Sequence, residues 1–329
     1  MPSLTTSSGT PLWKRLLLRR LKFLAWLVAL LAIVLAGSYL FAPQWLMRAN
    51  YLREAMAAHL EKHSVQAGDT RWSYYEGGEG PTIVLLHGFA SNKEVWLQTA
   101  KLLTPHFHLV IPDLPGWGGS SRNAGASYDI DAQATRLDQF VDALGLRRFV
   151  LVGHSMGGAI AAVYAAAHPD HVAELALVDA LGLKGTPTAL DREVMAGKDP
   201  FLFRDRAGFA RASAQAFAHP LDLPGRFVDV LVDRNRRDSA FIDRTLAELR
   251  QPSQYLAVQH RLDQLRMPVL GLWCRGDKIV DLSALDSLRN GLTRASAIST
   301  SVLNGCNHMP MLERPAETAQ ILTGFALSH

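Results

Sequence analysis

The chain has 329 residues, 48% of them hydrophobic and 19% charged, a composition that supports a large packed core and excludes disorder and collagen-like repeats. The formal net charge is +4, but residues 1–48 hold six bases and no acid, which leaves 28 bases and 30 acids for the rest. The body is therefore slightly acidic, and we expect no nucleic-acid partner.

The first predicted element is a transmembrane anchor at residues 23–42. These twenty residues carry no charge, and a helix that rises 1.5 Å per residue would cross a hydrocarbon layer of about 30 Å. A cleaved signal peptide is the alternative, but its apolar region normally has about 7–15 residues. No A-x-A site followed by a polar start is present either, so the sequence predicts an uncleaved, single-pass anchor.

The charges beside this span predict its orientation. Five bases lie in residues 1–22, whereas only Arg48 and Arg53 follow the span closely. The positive-inside rule makes residues 1–22 a cytoplasmic basic tail and places the body across the membrane. Arginine outnumbers lysine, as in GC-rich bacterial genomes. We therefore expect an inner (cytoplasmic) membrane protein whose body faces the periplasm or outside.

One face of the span carries small residues at spacings of four, three and four: Ala25, Ala29, Ala32 and Ala36. Small side chains let membrane helices approach closely, so the sequence suggests a homodimer through this helix. Residues 43–66 then show apolar residues near helical spacing, with Trp45 close to the expected interface. They predict a juxtamembrane helix, which either lies on the membrane or packs on the body.

Beyond residue 66, short apolar runs alternate with helical patterns, which is typical of a mostly parallel sheet covered by helices. Strands are predicted at residues 83–88, 108–113, 148–154, 174–180, 268–274 and 298–304. Helices are predicted at residues 92–104, 129–144, 156–167, 282–290 and 315–327. The fold class is α/β, with a core formed by residues 67–181 and 266–329.

The alternation stops at residues 182–265, which we predict to be a helical cap. Six phenylalanines lie in its helix-like segments: Phe201, Phe203, Phe209, Phe217, Phe227 and Phe241. An insertion at the carboxyl edge of such a sheet would cover the place where these folds bind ligands. The aromatic side chains could line a substrate channel, although packing of the cap against itself is the expected role for most of them.

The motif GHSMGG at residues 153–158 lies between a predicted strand and a predicted helix. It fits the G-x-S-x-G nucleophile elbow, whose sharp turn needs glycines such as Gly153 and Gly157 beside the serine. Ser155 would then present its hydroxyl group at a helix N-terminus, where an oxyanion is favoured. The alternative is a tight turn with a capping serine.

A serine nucleophile needs a histidine base and a carboxylate that orients it, in the chain order serine, acid, histidine. Among twelve histidines, His308 alone lies in a loop after the last predicted strand, and His154 is expected to point elsewhere. Asp277, in the turn after strand 268–274, is the preferred acid. Asp179 and Asp281 are the alternatives, and helix capping explains Asp281 well.

Two backbone N–H groups should stabilise an oxyanion, one after the nucleophile and one after the first core strand. They belong to Met156 and Phe89, and the latter lies in the motif HGFAS at residues 87–91. His87 is expected to buttress this loop. No His/Cys/Asp/Glu cluster with ligand spacing is evident, so we predict no metal and no cofactor.

The two cysteines flank the predicted acid and base. Cys274 ends a strand before Asp277, and Cys306 lies two residues before His308. Neighbouring strands would bring the two backbones about 5 Å apart, within disulfide range. Free cysteines are also commonly buried, and strand-end side chains can face opposite sides. The sequence leaves the disulfide open.

Taken together, HGF, DLPGWGGSS, GHSMGG, RGDKIVD and GCNHMPMLERP resemble motifs of the α/β-hydrolase superfamily over about residues 70–327. The resemblance is closest to bacterial family V lipases and esterases, including membrane-anchored phospholipases A. It implies the α/β-hydrolase fold, a catalytic triad of Ser155, Asp277 and His308, and oxyanion donors at Phe89 and Met156.

We therefore expect a serine carboxylic ester hydrolase, a lipase or esterase with phospholipase A among the options, that acts through an acyl-enzyme. Its partners would be an acyl ester or lipid substrate and the membrane. The same motifs also serve carbon–carbon bond hydrolases, which are the alternative among enzymes, followed by acyl transferases. A noncatalytic membrane scaffold is disfavoured because every expected catalytic residue is present.

Overall fold

A computed structural model describes residues 11–328. The strands are β1 (Leu60–Ala67), β2 (Thr70–Gly77), β3 (Thr82–Leu86), β4 (His108–Pro112), β5 (Phe149–His154), β6 (Val172–Val178), β7 (Val269–Cys274) and β8 (Ile298–Leu303). The helices are α1 (Leu12–Phe41), α2 (Pro43–Ala57), α3 (Leu97–Leu103), α4 (Ile130–Ala143), α5 (Met156–Ala167), α6 (Ala189–Met195), α7 (Arg206–Ala216), α8 (Gly225–Leu249), α9 (Pro252–Tyr255), α10 (Ala284–Gly291), α11 (Pro310–Glu313) and α12 (Pro315–Ala326). Single 3₁₀ segments occur at Lys93–Trp96 and Gln259–Gln264.

The strands form one sheet in the order β1-β2-β4-β3-β5-β6-β7-β8. Pairing is parallel from β4 to β8, whereas β1 and β2 are antiparallel additions at one edge. Successive residues of a strand point to opposite faces, so Val84 and Leu86 enter one hydrophobic core while Ile83 and Leu85 enter the other. Burial on both faces explains why the central strands are nearly continuous apolar runs.

The juxtamembrane helix ends earlier than predicted. α2 stops at Ala57, His59 adopts a left-handed conformation (φ 52°), and β1 starts at Leu60. The prediction of a helix over 43–66 is therefore wrong for residues 60–66, which form a hairpin with β2. β1 is an edge strand buried mainly at its two ends, so it lacks the alternating apolar pattern by which strands are recognised.

The apolar N-terminal helix is longer than the predicted span. α1 has 30 residues and starts at Leu12, so the described part of the basic tail continues into the span as one helix. The tail is rich in leucine, arginine and lysine, which are good helix formers. With a mean hydropathy of 2.3 in its most apolar window, α1 is long and apolar enough to cross a membrane.

The anchor and the body meet at a short connection. Ala42 alone separates α1 from α2, and Pro43 occupies the first turn of α2, where its missing N–H group has no cost. The ring of Tyr39 in α1 lies 5.7 Å from that of Phe227 in α8. α2 packs on the body through buried Ala55, while Trp45 remains 61% exposed. The predicted packing on the body is thus present, and contact of α2 with the membrane stays a prediction.

The chain between β6 and β7 holds α6, α7, α8 and α9. This helical insertion agrees with the predicted cap, while the exact division of the chain into segments stays a prediction. β7 and β8 are neighbours with Cys274 opposite Leu303. The loop after β8 brings Cys306 back to Cys274, and the two form a disulfide with Cα atoms 5.5 Å apart. The structure thus resolves the question that the sequence left open.

Candidate active site

Ser155 lies at the sharp turn between β5 and α5. Its backbone adopts φ 54°, a left-handed conformation that is costly for a residue with a side chain. The flanking glycines are required by contact: a Cβ atom on Gly153 would lie 2.3 Å from the carbonyl oxygen of Gly157, and one on Gly157 would lie 2.4 Å from that of His87. The turn therefore requires glycine at both positions of the motif, 153 and 157.

His308 and Asp277 form a buried pair. Nδ1 of His308 lies 2.8 Å from Oδ2 of Asp277, and Oδ1 of Asp277 accepts bonds from the N–H groups of Ile279 (2.7 Å) and Val280 (3.0 Å). Because a carboxylate only accepts, Nδ1 donates in this bond, and Nε2 is the ring nitrogen that does not face Asp277. Ser155 and His308 line the same cavity.

Asn307 connects three parts of the chain: the loop that carries Asp277, the loop that carries His308 and the helical insertion. Its Oδ1 accepts a bond from the N–H of Lys278, and its Nδ2 donates to the carbonyl of Gln215 at the end of α7. The backbone N–H of His308 donates to Ala216 in the same helix. These bonds and the adjacent disulfide hold His308 in place.

The two alternative acids make different contacts. Asp179 is fully buried with φ 44°, and its Oδ1 accepts a bond from the N–H of Cys274 at 2.9 Å. Burial, reinforced by the charge of Asp277, raises the pKa of Asp179 well above its usual range. Asp281 accepts bonds from the backbone and hydroxyl of Ser283 just before α10. Of the three acids, only Asp277 bonds to His308.

The loop after β3 carries Phe89 and passes close to Ser155. A Cβ atom on Gly88 would come 3.0 Å from Cβ of Ser155, so the loop passes directly beside the serine. His87 is buried, donates from Nδ1 to the carbonyl of Gly88 and accepts at Nε2 from the N–H of Leu114. Burial lowers the pKa of His87 to about 4, so the ring is neutral and buttresses the loop, as predicted.

A buried ion pair that the sequence analysis missed supports this loop. Nζ of Lys93 bonds to Asp113 and to Ser73, and both charged side chains are buried. Asp113 also accepts bonds from the N–H groups of Lys93 (2.8 Å) and Gly119 (2.7 Å). The pair thereby joins the loop after β3 to the turn after β4. A charge in a helical pattern normally indicates a solvated face, so no pattern in the sequence indicates that Lys93 is buried.

His154 lies at the site, contrary to prediction. Its ring centroid is 4.7 Å from that of His308, and its Nε2 donates to the carbonyl of His308 at 2.7 Å. Burial lowers the pKa of His154 well below its usual range, so the ring is neutral. The alternation of side chains along a strand does not predict the direction of His154, because this residue is the last of β5 and the chain begins its sharp turn at Ser155.

The site opens into an apolar cavity of about 270 Å³. Four of the six phenylalanines of the insertion line it: Phe201, Phe203, Phe209 and Phe217. Phe203 and Phe209 also pack against each other in the cap, so lining the cavity and packing the insertion are combined. Phe89 contacts both Phe201 and Trp117 edge to face. A smaller cavity of about 50 Å³ shares Ser155, Phe89 and Phe201. Apolar walls that converge on a few polar groups are typical of a ligand site.

Within residues 11–328, two groups of three side chains have potential ligand atoms within 4.8 Å of one another: Asp138, His168 and His171, and Asp179, Asp277 and His308. The second group contains the acid–histidine pair. The first joins Asp138 of α4 to two histidines in the loop after α5, which is why no spacing in the sequence revealed it. The absence of a metal or cofactor stays a prediction.

Comparisons agree with this architecture. The family model described as alpha/beta hydrolase fold matches residues 81–315. Monoacylglycerol lipase ABHD6 of Bos taurus is 28% identical over 314 residues, covering 92% of each chain. Lipase 1 of Psychrobacter immobilis is 30% identical over 281 residues, covering 84% of this chain and 86% of the relative.

A crystal structure of a membrane phospholipase A, described as a bacterial virulence factor, superimposes with a TM-score of 0.81. It is 38% identical and covers 92% of this chain and 97% of its own. The chain therefore belongs to the alpha/beta hydrolase family, and its named relatives are ester hydrolases that act on lipids.

Proposed function

We propose that this protein is a membrane-anchored serine carboxylic ester hydrolase that acts on lipids through an acyl-enzyme on Ser155. The observation that carries the proposal is that His308, bonded to Asp277, lines the same cavity as a serine held in a strained turn. This arrangement of nucleophile, base and orienting acid is the one that acyl transfer requires.

In the proposed reaction, Nε2 of His308 takes the proton of the Ser155 hydroxyl group as its oxygen attacks the ester carbonyl. The N–H groups of Phe89 and Met156 stabilise the oxyanion of the tetrahedral intermediate. The carbon–oxygen bond to the alcohol then breaks, and His308 returns the proton to the leaving alcohol. Water, activated by the same histidine, attacks the acyl-enzyme and releases the carboxylic acid.

The apolar walls support a long acyl chain as the part of the substrate that is bound. Burial of methylene groups against Phe201, Phe209 and Phe217 would contribute about 0.8 kcal/mol for each group. The lipase names of the relatives and the phospholipase A structure support a lipid ester as well.

The location proposed for the enzyme is the inner membrane, with the catalytic body on the periplasmic or outer side. The five bases before the apolar part of α1 support this orientation. The alanine face of α1 is exposed, which leaves it accessible to a second copy, and a homodimer through this face stays part of the proposal.

The test combines an activity-based probe with ester turnover. A fluorophosphonate should label the wild-type chain and leave Ser155→Ala unlabelled, and p-nitrophenyl ester turnover should fall to a small residual rate because binding and the oxyanion donors remain. Ser296→Ala, at an exposed serine, is the matched control and should keep both signals. Near wild-type turnover by a folded Ser155→Ala variant would overturn the proposal.

A further inference from the structure

The cavity that holds Ser155 is largely apolar, but two charged side chains line it. Apart from histidine, the charged side chains that line it within residues 11–328 are Arg234 and Asp238, both on α8. Asp238 is neutralised by Arg122, whose Nη1 lies 3.0 Å from its carboxylate. Arg234 is therefore the cation that the cavity presents to a bound molecule.

Arg234 forms no ion pair within 4.0 Å of a carboxylate in the described part of the chain, although its charge acts on nearby Glu94, where it opposes the rise that burial causes in the pKa of that carboxyl group. Asp233 faces Arg236 at 4.0 Å, and Glu94 lies 3.5 Å from Nζ of Lys93. With the amide of Asn92 oriented to donate to Glu94, its oxygen accepts one bond from Arg234 at 3.2 Å. The remaining guanidinium donors of this half-buried side chain can serve a ligand.

Arg234 also lies on the side of the body that leads to the anchor. Its helix, α8, packs against α2 and carries Phe227, which contacts Tyr39 of α1. Arg234 is close enough to Tyr51 of α2 to oppose, with its charge, the rise that burial causes in the pKa of that phenol. If a lipid enters the cavity from the side of the anchor, its headgroup would lie near this arginine.

We propose that Arg234 binds the phosphate group of a phospholipid or lysophospholipid while the ester of the same molecule lies at Ser155. The planar guanidinium matches two phosphate oxygens with parallel bonds, which a neutral glyceride cannot offer. This inference rests on the proposed function and deepens it by naming phosphate-containing lipids as the preferred class of substrate.

The experiment compares two substrates with the same acyl chain in mixed micelles, using the full-length protein. They are 1-palmitoyl lysophosphatidylglycerol, which has the phosphate, and 1-palmitoylglycerol, which lacks it. The measured quantity is the ratio of kcat/KM for the first to kcat/KM for the second. Arg234→Gln should lower this ratio about tenfold or more, the usual effect of losing a charge-assisted bond.

Two further variants complete the design. Arg237→Gln removes an exposed arginine from the same helix and should leave the ratio unchanged. Arg234→Lys keeps the positive charge but loses the planar pair of guanidinium donors, so it should restore only part of the wild-type ratio. A ratio that stays constant in Arg234→Gln, or equal losses on both lipids, would overturn the inference while the ester hydrolase stands.

A separate arm uses inorganic phosphate as an inhibitor of 1-palmitoylglycerol hydrolysis. Inhibition that disappears in Arg234→Gln, together with an unchanged ratio for the two lipids, would assign the arginine to a soluble anion and overturn the lipid assignment. If folded wild-type protein hydrolyses neither lipid and binds no fluorophosphonate, the proposed function fails and this inference fails with it.

Discussion

The carboxyl groups of Asp179 and Asp277 lie side by side in a buried site, with an oxygen of each within 4.8 Å of the other and of a ring nitrogen of His308. They follow neighbouring parallel strands, β6 and β7. Two negative charges cannot share such a site cheaply. Burial and the neighbouring carboxyl raise the pKa of Asp179, which favours its neutral form, and of the two carboxyl groups it is Asp277 that bonds to the histidine.

Substitution of the two acids should therefore have unequal effects. Asp277→Asn should lower kcat by about three to four orders of magnitude, because the histidine loses its correct tautomer. Asp179→Asn should cost less than about tenfold, since an amide keeps an acceptor for Cys274 and a donor toward Asp277. Steady-state kinetics on a soluble ester measure both. If Asp179→Asn lost most of its activity while Asp277→Asn stayed active, Asp179, which follows β6, would be the acid.

The neutral, buried His87 should make the fold sensitive to acid. An unfolded histidine takes up a proton below about pH 6.5, whereas His87 does so only below about pH 4 in the folded state. The unfolded state thus binds more protons between these values, and the free energy of unfolding falls as pH drops from about 6.5 to about 4. The shift corresponds to a loss of about 3 kcal/mol.

Urea unfolding at several pH values checks this prediction. His87→Gln keeps a donor and an acceptor in the loop without a titratable ring, so its stability should depend less on pH across that window. His106→Gln, at an exposed histidine, should retain the wild-type dependence. Identical slopes for His87→Gln and the wild type would show that another group causes the acid sensitivity.

The disulfide should stabilise the body and hold the two catalytic loops together. It closes a loop of 32 residues, for which the chain-entropy model gives about 3–4 kcal/mol. The double variant Cys274→Ser/Cys306→Ser should unfold at lower urea and lose kcat because the base is less well held. Thiol titration of denatured, unreduced wild-type protein should detect no thiol. Two titrated thiols would contradict the bond.

Removal of residues 1–42 should separate membrane binding from chemistry. No predicted site residue lies in this segment, so turnover of a soluble short ester should persist. Hydrolysis of bilayer lipid should fall because the anchor no longer supplies a high local concentration. Exposed Trp45, Leu52 and Met56 on α2 should leave weak vesicle binding, measurable by flotation. Equal losses on both substrates would show that α1 supports the fold of the body.

The parts of the fold that the sequence predicted are those with strong local signals. The strands from β3 to β7 are buried apolar runs, and the turn at Ser155 requires its glycines wherever it occurs. The edge hairpin of β1 and β2 was missed because most of β1 is exposed. Long-range contacts were missed as well: the position of His154 and the pairing of Lys93 with Asp113 depend on loops that meet only in the folded chain.

The connection through Ala42 has a consequence for kinetics. A single residue separates α1 from α2, and Tyr39 packs against Phe227. The body therefore has no flexible linker that would let it move away from the bilayer surface. Each enzyme would sample lipids by lateral diffusion in one membrane, without exchange between vesicles. Its velocity should then follow the mole fraction of substrate in the surface rather than the bulk concentration, the behaviour known as surface dilution.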